Sequence, residues 1–255
     1  MSAVERERRG HVEIVTINRP EARNAINRDV TEAMAGILES AALDDDCWVV
    51  VLTGAGDKSF SAGMDLKAFA SGQGVGIIDE HGFASLTRRK FPKPLIAAVN
   101  GTALAGGCEI MLSCDLVVAA DHAVFGIPEV KRGLIAGAGG LLRLPKRIPR
   151  AVALQLALTG DPIDAERAYQ IGLINKVVPA AMLMDEAIAL AEVVAANAPM
   201  AVRYSKRVML GSADLSEDEA WALNDGTFTE VFTSADAMEG AVAFAEKRAP
   251  NWQGK

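Results

Sequence analysis

The sequence has few cysteines and few histidines, and neither set has the spacing of a metal or redox motif. Cys47, Cys108 and Cys114 form no CxxC pair, and the three histidines are far apart with no HExxH spacing. An odd number of cysteines fits reduced thiols in a cytosol-like compartment. We therefore predict no metal site and a cytoplasmic location.

Positive charge and long apolar runs are also scarce. Basic residues number 26 against 33 acidic residues, which gives a formal net charge of −7, and the dense basic runs Thr87–Lys90 and Lys146–Arg150 are short. Nucleic-acid binding needs a concentrated basic face. No run approaches the roughly 18 apolar residues of a membrane span, and Met1–Arg9 alternates Glu and Arg where a signal peptide would be apolar. We expect neither nucleic acid nor a membrane as a partner.

The glycine-rich and serine-containing turns lack the spacing of nucleotide-binding and serine hydrolase motifs. Gly54–Ser59 superficially suggests a phosphate loop, but Asp57 stands where glycine would precede the lysine, and its charge would repel a phosphate. The third glycine of a dinucleotide-binding motif would fall at Ser59. Ser61 and Ser113 have no GxSxG context. We interpret Gly54–Ser59 as a turn that ends a strand.

The sequence does contain a large apolar fraction, arranged in alternating strand-like and helix-like segments. Hydrophobic residues make up 50% of its 255 residues and charged residues 23%, which is typical of a packed globular protein. Strands are predicted at His11–Asn18, Trp48–Thr53, Leu95–Val99 and Leu116–Ala120, and helices at 27–42 with Asn27 as the cap, at 107–113 and at 138–144. This order predicts an α/β fold with parallel strand pairing.

After about residue 150 the pattern becomes mostly helical. Helices are predicted at 151–159, 164–171, 181–197 and 200–211, with a short strand at 175–178. The segment Ser216–Glu219 has the composition of a helix start. Pro199 marks a boundary, and we expect residues 1–198 and residues 199–255 to form separate regions of the chain.

Three segments combine backbone hydrogen-bond donors with carboxylates: Ser59–Leu66, Asn100–Glu109 and Phe125–Glu129. Glycine-rich turns at helix N-termini present free N–H groups to a negative oxygen. Two such turns after neighbouring strands would form an oxyanion hole. The alternative, that these glycines only allow close packing, remains open at this point.

Two glutamates within these segments are candidates for acid–base chemistry. Glu109 falls in the first turn of an apolar helix, where a buried carboxylate is rare unless it is paired or functional. Glu129 follows Pro128, and taken alone it would more often be an exposed loop acid. If the two lie close together, mutual repulsion and poor solvation raise one pKa, so that one acid stays protonated while the other is ionised.

Taken together, the motifs resemble the crotonase (enoyl-CoA hydratase/isomerase) superfamily over nearly the whole chain. They are Asn18–Ala25, SAGMDL (61–66), NGTALAGGCE (100–109), CDLVVAA (114–120), FGIPEV (125–130), AGAGG (136–140), LTGDPIDAERAYQIGLINKVV (158–178) and MEGAVAFAEKRAPNW (238–252). The resemblance implies a ClpP/crotonase-like spiral of ββα units over residues 1–198. It also implies a C-terminal α-helical trimerisation region over residues 199–255.

The resemblance implies a role for each candidate catalytic residue. The backbone N–H groups of Met64 and Gly106 would bind a CoA thioester carbonyl, and Glu109 and Glu129 would hold the water that adds across an α,β double bond. Isomerases of the family typically keep only the acid that matches Glu129, so the presence of both favours a hydratase. No cofactor is implied, because coenzyme A enters as part of the substrate.

The same resemblance implies CoA contacts and an oligomer, either a homotrimer or a hexamer built as a dimer of trimers. An acyl-CoA thioester is the implied partner, and the CoA-binding positions would be Arg23, Ala25, Lys58, Ala62, Asp65, Leu66, Lys67, Phe228 and Lys247, the last two from an adjacent subunit. For the lysines, an ordinary solvated surface is the alternative.

One departure from the family pattern concerns the acyl group. Ile127 stands where many hydratases carry glutamine, which leaves Glu129 one polar neighbour fewer. The segment Phe69–Thr87 matches the family's variable acyl-pocket region, and the IPEVKRGLIAGAGGLLRLPK pattern is similar to the carnitinyl-CoA dehydratase branch. We predict an enoyl-CoA hydratase for a short or medium acyl chain. The alternatives are a Δ3,Δ2-enoyl-CoA isomerase, a carnitinyl-CoA dehydratase-like enzyme and a non-catalytic RNA- or acyl-CoA-binding relative.

Overall fold

The computed structural model describes residues 2–68, 70 and 76–255, and alternating short strands and helices account for most of them. The strands are β1 Val4–Arg9, β2 Val12–Ile17, β3 Val49–Gly54, β4 Ser59–Ser61, β5 Ile78–Asp79, β6 Gly82–Phe83, β7 Leu95–Val99, β8 Thr102–Leu104, β9 Leu116–Ala120, β10 Val124–Gly126, β11 Ile163–Asp164 and β12 Lys176–Val178. The helices are α1 Arg28–Leu43, α2 Leu66–Ala68, α3 Gly106–Leu112, α4 Gly140–Arg147, α5 Arg150–Thr159, α6 Ala165–Gln170, α7 Leu183–Ala195, α8 Pro199–Gly211, α9 Glu217–Phe232 and α10 Ala235–Glu246.

The larger sheet has the strand order β1-β2-β3-β7-β9-β12 and is parallel except for the β1–β2 hairpin. Its strand β3 is buried on both faces, because its side chains alternate between two apolar clusters. Val50 and Leu52 pack in the cluster that includes α1, whereas Val49 and Val51 pack against α7. A continuous run of β-branched residues is typical of such a strand. The predicted parallel α/β architecture is confirmed.

The smaller sheet has the order β11-β10-β8-β4, and all its strands except β11 follow directly on strands of the larger sheet. Strand β4 follows β3, β8 follows β7 and β10 follows β9, and the last two pairs each lead into a helix, α3 and α4. The chain therefore repeats a unit of two strands and a helix, which agrees with the expected spiral of ββα units. The candidate site segments lie where this smaller sheet meets the helix starts.

Strand β1 and the strands of the smaller sheet were absent from the sequence prediction for identifiable physical reasons. Strand β1 has almost no apolar face, since its arginines pair with the fully buried Glu13 of β2: Arg6 lies 2.8 Å and Arg8 2.7 Å from its carboxylate. The alternation of Glu and Arg in Val4–Arg9, which argued against a signal peptide, is thus typical of an edge strand. The strands of the smaller sheet have two or three residues, too few to show an alternation.

A side chain of α8 links the C-terminal helices to the segments that precede two sheet strands. The Lys206 ammonium lies 2.7 Å from Asp115 and donates to the Lys93 carbonyl, in a partly buried contact between α8 and the segments beside β7 and β9. The predicted helix start at Ser216 is confirmed as a reciprocal capping box with Glu219. Helix α8 begins at Pro199, and the division of the chain into two regions there stays a prediction. No helix among the described residues is long and apolar enough to cross a membrane.

Helices α9 and α10 leave large apolar side chains on the surface. The exposed fractions are 58% for Trp221, 61% for Phe228, 69% for Phe232 and 88% for Phe244. Phe228 and Phe232 also stack on each other, and contiguous exposed apolar side chains often mark interaction surfaces. Helix α9 packs on α8, and α10 packs on α9. The exposed aromatic side chains are left without a partner other than this stack among the described residues.

The loop that precedes α1 is held by a fully buried asparagine. Asn24 adopts a left-handed conformation with φ +54°, which asparagine tolerates better than most residues. Its side chain accepts a hydrogen bond from the Arg19 N–H and donates to the carbonyls of Ala55 and Ser59. A second donor, Ser61 Oγ, binds the Asn24 carbonyl. One side chain thereby links the 19–26 loop to both ends of the β3–β4 turn.

We predict that Asn24→Ala lowers the free energy of unfolding by about 2–4 kcal/mol, since several buried polar groups lose their partner and alanine disfavours this conformation. Urea denaturation followed by circular dichroism measures the change. Asn18→Ala, which removes an exposed hydrogen bond to Glu5, is the control and should change stability by less than about 0.5 kcal/mol. Equal effects of the two substitutions would contradict the role given to Asn24.

Candidate active site

The site begins with a close backbone contact between the loop after β4 and the start of α3. A Cβ placed on Gly63 would lie 2.7 Å from the Gly106 nitrogen, and one on Gly107 would lie 1.9 Å from the Ser61 carbonyl oxygen. Real side chains do not approach backbone so closely, so both positions require glycine. Close packing therefore explains these glycines, and the same contact brings the Met64 and Gly106 segments together.

The backbone of this contact leaves two N–H groups available. The Ile26 N–H donates to the Gly63 carbonyl, and the Asp65 N–H donates to the Ile26 carbonyl. Met64 lies between Gly63 and Asp65, and its N–H takes no part in this pairing. Gly106 is the first residue of α3, where an N–H has no partner within the helix. Neither group has an acceptor in the described part of the chain. Two free donors on adjoining loops can bind one oxygen atom.

The residue before Gly106 is held in a strained conformation. Ala105 has φ +52° and ψ −130°, a region that residues with a side chain rarely occupy. Its N–H donates to the Gly126 carbonyl at 3.0 Å, and this bond fixes the turn against β10. Strain of this kind persists only where the surrounding structure imposes it, and it is common at functional sites. Here it sets the direction of the first N–H groups of α3.

Four of the expected CoA-binding positions lie together beside this loop. The Ala62 N–H donates to the Arg23 carbonyl at 3.0 Å, so the 23–26 segment runs alongside the 62–65 segment. Arg19 joins the two segments, because its guanidinium donates to the Ala25 carbonyl at 2.6 Å and to the Asp65 carboxylate at 2.9 Å. Sequence reasoning did not identify Arg19 as part of this arrangement.

The remaining CoA candidates occupy two different parts of the molecule. Lys58 is exposed immediately before β4, and Leu66 and Lys67 are exposed in α2, just beyond Asp65. Phe228 instead stacks on Phe232 within α9, and Lys247 is the exposed C-cap of α10. Within one chain, the hydrogen bonds and ring contacts of the described residues do not connect Phe228 or Lys247 to the 61–66 loop.

Glu109 is a buried carboxylate on the inner side of α3. Only 3% of the residue is exposed, and its Oε1 accepts hydrogen bonds from the Ala138 N–H at 2.7 Å and the Gly140 N–H at 2.9 Å. Burial raises the pKa of Glu109 to about 7, since loss of hydration outweighs these two donors and the charge of Glu129 adds to the rise. Glu109 can therefore exchange a proton near neutral pH.

Glu129 lies close enough for its charge to act on Glu109, but its surroundings differ. It is half-buried in a short 3-10 helix, Pro128–Arg132, so the exposed-acid alternative is wrong. In the described structure no donor reaches its buried Oε2, and burial raises its pKa as well. Ile127, only 2% exposed, packs in the hydrophobic core and offers Glu129 no polar side chain.

Two elements of the site were not predicted from the sequence. The donors to Glu109 come from the turn before α4, which is why that helix begins at Gly140 and not at Ala138 as expected. The Phe83 ring covers Gly106, since a Cβ there would lie 2.6 Å from its Cε1. Phe83 belongs to the expected acyl-pocket segment 69–87, of which Phe69 and 71–75 lie outside the described residues.

The arrangement can perform a defined kind of chemistry. The two free N–H groups can stabilise negative charge on a carbonyl oxygen. The two carboxylic acids, both with raised pKa, can hold one proton between them and move it to or from a neighbouring carbon or water. In the described residues no group of three His, Cys, Asp or Glu is placed to bind a metal ion.

Comparison with known protein sequences identifies the family that the motifs resemble. The family model for enoyl-CoA hydratase/isomerase matches residues 7–255. The chain is 40% identical over 253 residues to the carnitinyl-CoA dehydratase of Proteus mirabilis, and the match covers 97% of both proteins. It is 41% identical over 253 residues to the carnitinyl-CoA dehydratase of Salmonella arizonae, again over 97% of each.

Solved structures resemble the whole chain as well. An enoyl-CoA hydratase from Mycobacterium tuberculosis is 50% identical with a TM-score of 0.97, and all of both chains is covered. A carnitinyl-CoA hydratase from Mycobacterium avium is also 50% identical, with a TM-score of 0.81 over the full length of both chains. From the motifs, the repeated ββα units and these matches, the chain belongs to the enoyl-CoA hydratase/isomerase family, which is the crotonase superfamily.

Proposed function

We propose that this protein is an enoyl-CoA hydratase that adds water to a trans-2-enoyl-CoA and yields a 3-hydroxyacyl-CoA. The observation that carries the proposal is the pair Glu109 and Glu129 beside the free N–H groups of Met64 and Gly106. Coenzyme A takes part as the carrier of the acyl substrate, and the reaction as proposed needs no redox cofactor or metal. The reduced thiols expected from the sequence fit a cytoplasmic enzyme.

The proposed reaction depends on polarisation of the thioester. When the carbonyl oxygen accepts from Met64 and Gly106, these donors stabilise the enolate that forms as water attacks the β-carbon. One such donor typically contributes about 2.7–4 kcal/mol to transition-state stabilisation. Because both are backbone groups on fixed loops, they need no reorganisation when charge develops on the oxygen.

The two glutamates divide the proton transfers between them. Glu109 takes a proton from the attacking water, since a pKa of about 7 lets it accept and release a proton near neutral pH. Glu129, whose Oε2 has no donor in the described structure, keeps its proton and delivers it to the α-carbon. The water oxygen becomes the β-hydroxyl, and a proton then passes from Glu109 to Glu129 to restore the starting state.

The reverse reaction on a polar acyl chain is the second candidate function. The relatives named carnitinyl-CoA dehydratase support it, as they match nearly the whole chain at 40–41% identity. A dehydratase uses the same two glutamates in the opposite direction, so the site chemistry is shared.

A panel of acyl-CoA substrates with mass analysis of the products tests the proposed function. Crotonyl-CoA and longer 2-enoyl-CoA esters are expected to gain one water. A 3-enoyl-CoA converted to its 2-enoyl isomer without gain of mass would instead support an isomerase. Loss of water from carnitinyl-CoA at a higher kcat/KM than any hydration would support the dehydratase, and no turnover of any ester would contradict the proposal.

We propose that the protein assembles as a homotrimer, or as a hexamer of two trimers, through the region 199–255. The exposed aromatic residues of α9 and α10 support this assembly, because their burial against a second copy would stabilise it. Phe228 and Lys247 would then reach the CoA of an adjacent subunit. A fully active monomer in light scattering would contradict this shared site.

We predict that Glu109→Gln and Glu129→Gln each lower kcat for hydration by about 10²- to 10⁴-fold, the range for positioned acid–base groups. Loss of enone-thioester absorbance on addition of crotonyl-CoA measures the rate. Glu192→Gln, on the exposed side of α7, is the matched control and should leave kcat unchanged. Near wild-type hydration by either site variant, with unchanged thermal stability, would refute the two-carboxylate assignment.

A third substitution, Lys247→Ala, is predicted to raise KM for the CoA ester and leave kcat nearly unchanged. A phosphate contact far from the reacting carbons binds ground state and transition state alike. KM in the wild type should also rise more steeply with salt than in the variant, since salt screens an exposed charge pair. Lys176→Ala, at the far edge of the larger sheet, should change neither constant. A reduced kcat with unchanged KM would exclude the phosphate role.

A further inference from the structure

Arg143 of α4 connects the Ala138–Gly140 turn, which donates hydrogen bonds to Glu109, to Thr87, which is distant in sequence. Its Nη1 donates to the Ala138 carbonyl at 3.4 Å, and its Nη2 donates to the Thr87 carbonyl at 2.5 Å. Ala138 is also the residue whose N–H donates to Glu109 Oε1. A single peptide segment therefore binds the guanidinium on one side and the carboxylate on the other.

The absence of a side chain at Gly139 leaves room for the Arg143 guanidinium. Gly139 lies between the two donors to Glu109, and a Cβ there would fall 2.1 Å from Arg143 Nη1. The half-buried guanidinium thus occupies the space that a side chain at position 139 would fill. Thr87, its other partner, is close to Phe83: its Oγ1 accepts from the Phe83 N–H. Arg143 therefore spans the wall over Gly106 and the turn beside Glu109.

We propose that Arg143 is a positioning residue for Glu109, which holds the Ala138–Gly140 turn in place and keeps a positive charge beside the carboxylate. It contacts neither Glu109 nor the expected substrate position directly through a hydrogen bond in the described structure. The inference rests on the proposed function for the catalytic meaning of Glu109. The geometric role of Arg143 can be tested without that function.

The charged and titratable groups around Glu109 make Arg143 the relevant cation. Glu129 and Arg143 are the side chains whose charges act on Glu109, and the neighbouring Cys108 thiol is neutral because burial raises its pKa to about 12. Strands β4 and β8, which also pack against α3, consist of Ser59–Ser61 and Thr102–Leu104 and contain no ionisable side chain. Lys146 of α4 pairs with Asp214 at the surface.

Helix α4 supplies its own control. Arg147, one turn after Arg143, is also half-buried and also donates to backbone carbonyls, those of Cys114 and Asp115. Its partners lie at the other end of α3 and not in the turn beside Glu109. Loss of either arginine removes a buried cation and two carbonyl contacts from the same helix, whereas only Arg143 adjoins the donors to Glu109.

The expected sign follows from the charge. A cation beside Glu109 favours the carboxylate, so its removal raises the pH at which Glu109 loses its proton. Removal of Arg143 also weakens the hydrogen bonds from the Ala138 and Gly140 N–H groups to Glu109. Since hydrogen bonds to the ionised form lower the pKa of an acid, their weakening raises the pKa of Glu109 further. If Glu109 accepts the water proton, kcat/KM falls as pH drops through this midpoint, and the fall begins at a higher pH without Arg143.

The test is a carboxyl ¹³C NMR titration of Glu109 in the full-length protein, with Glu109→Gln used to assign the resonance. Arg143→Met should raise the Glu109 midpoint by about one pH unit, at the low end of the range for loss of a neighbouring opposite charge. Arg143→Lys retains the charge and should restore at least half of that difference. Arg143→Gln, which keeps a donor but no charge, gives a second uncharged variant should Arg143→Met fail to fold.

Arg147→Met is the matched variant and should leave the midpoint unchanged while lowering the melting temperature. An unchanged midpoint in the uncharged Arg143 variants would overturn the proposal. So would an equal rise in Arg147→Met, since it would show a general loosening of α4. The pH profile of kcat/KM on crotonyl-CoA provides the second readout. Absence of hydration by the wild type would refute the proposed function, and the titration would still decide the role of Arg143.

Discussion

The close approach of the 61–63 backbone to the first turn of α3 is the contact on which the candidate site depends. A Cβ at Gly107 would collide with the Ser61 carbonyl, and one at Gly63 with the Gly106 nitrogen. Without this approach the Met64 and Gly106 N–H groups would face separate surfaces. The Asn24 hydrogen bonds and the strained turn at Ala105 hold the two loops from either side. Backbone strain at Ala105 lowers the stability of the fold, but it holds the N–H donors of the site in fixed positions.

The same fold places two carboxylic acids in surroundings that separate their roles. Both have raised pKa values because both lose hydration, yet only Glu109 accepts two backbone N–H bonds. The turn that donates these bonds is itself bound by Arg143, whose other contact is the carbonyl of Thr87. The acid–base pair therefore depends on the start of α3, on the turn before α4 and on the Arg143 side chain.

Much of this could be predicted from the sequence, and the failures have physical causes. Buried parallel strands were predicted correctly where the apolar, β-branched runs are five or six residues long, at Trp48–Thr53, Leu95–Val99 and Leu116–Ala120. Glu109 was identified because it is a carboxylate in an otherwise apolar helix. The donors to Glu109 come from backbone at Ala138 and Gly140, which no side-chain pattern marks. Arg143 and Arg19 were missed because each binds a backbone carbonyl, which no side-chain pattern marks, and because the second partner of each, Thr87 or Asp65, is far away in sequence.

In the proposed reaction, the backbone N–H groups of Met64 and Gly106 polarise the thioester carbonyl of a bound enoyl-CoA. Raman difference spectroscopy of crotonyl-CoA labelled with ¹³C at the thioester carbonyl, bound to the protein at a pH where turnover is slow, measures that polarisation directly. We expect the carbonyl stretch of the bound ester to move to lower frequency than that of the free ester in water. A bound ester whose carbonyl frequency equals that of the free ester would contradict it.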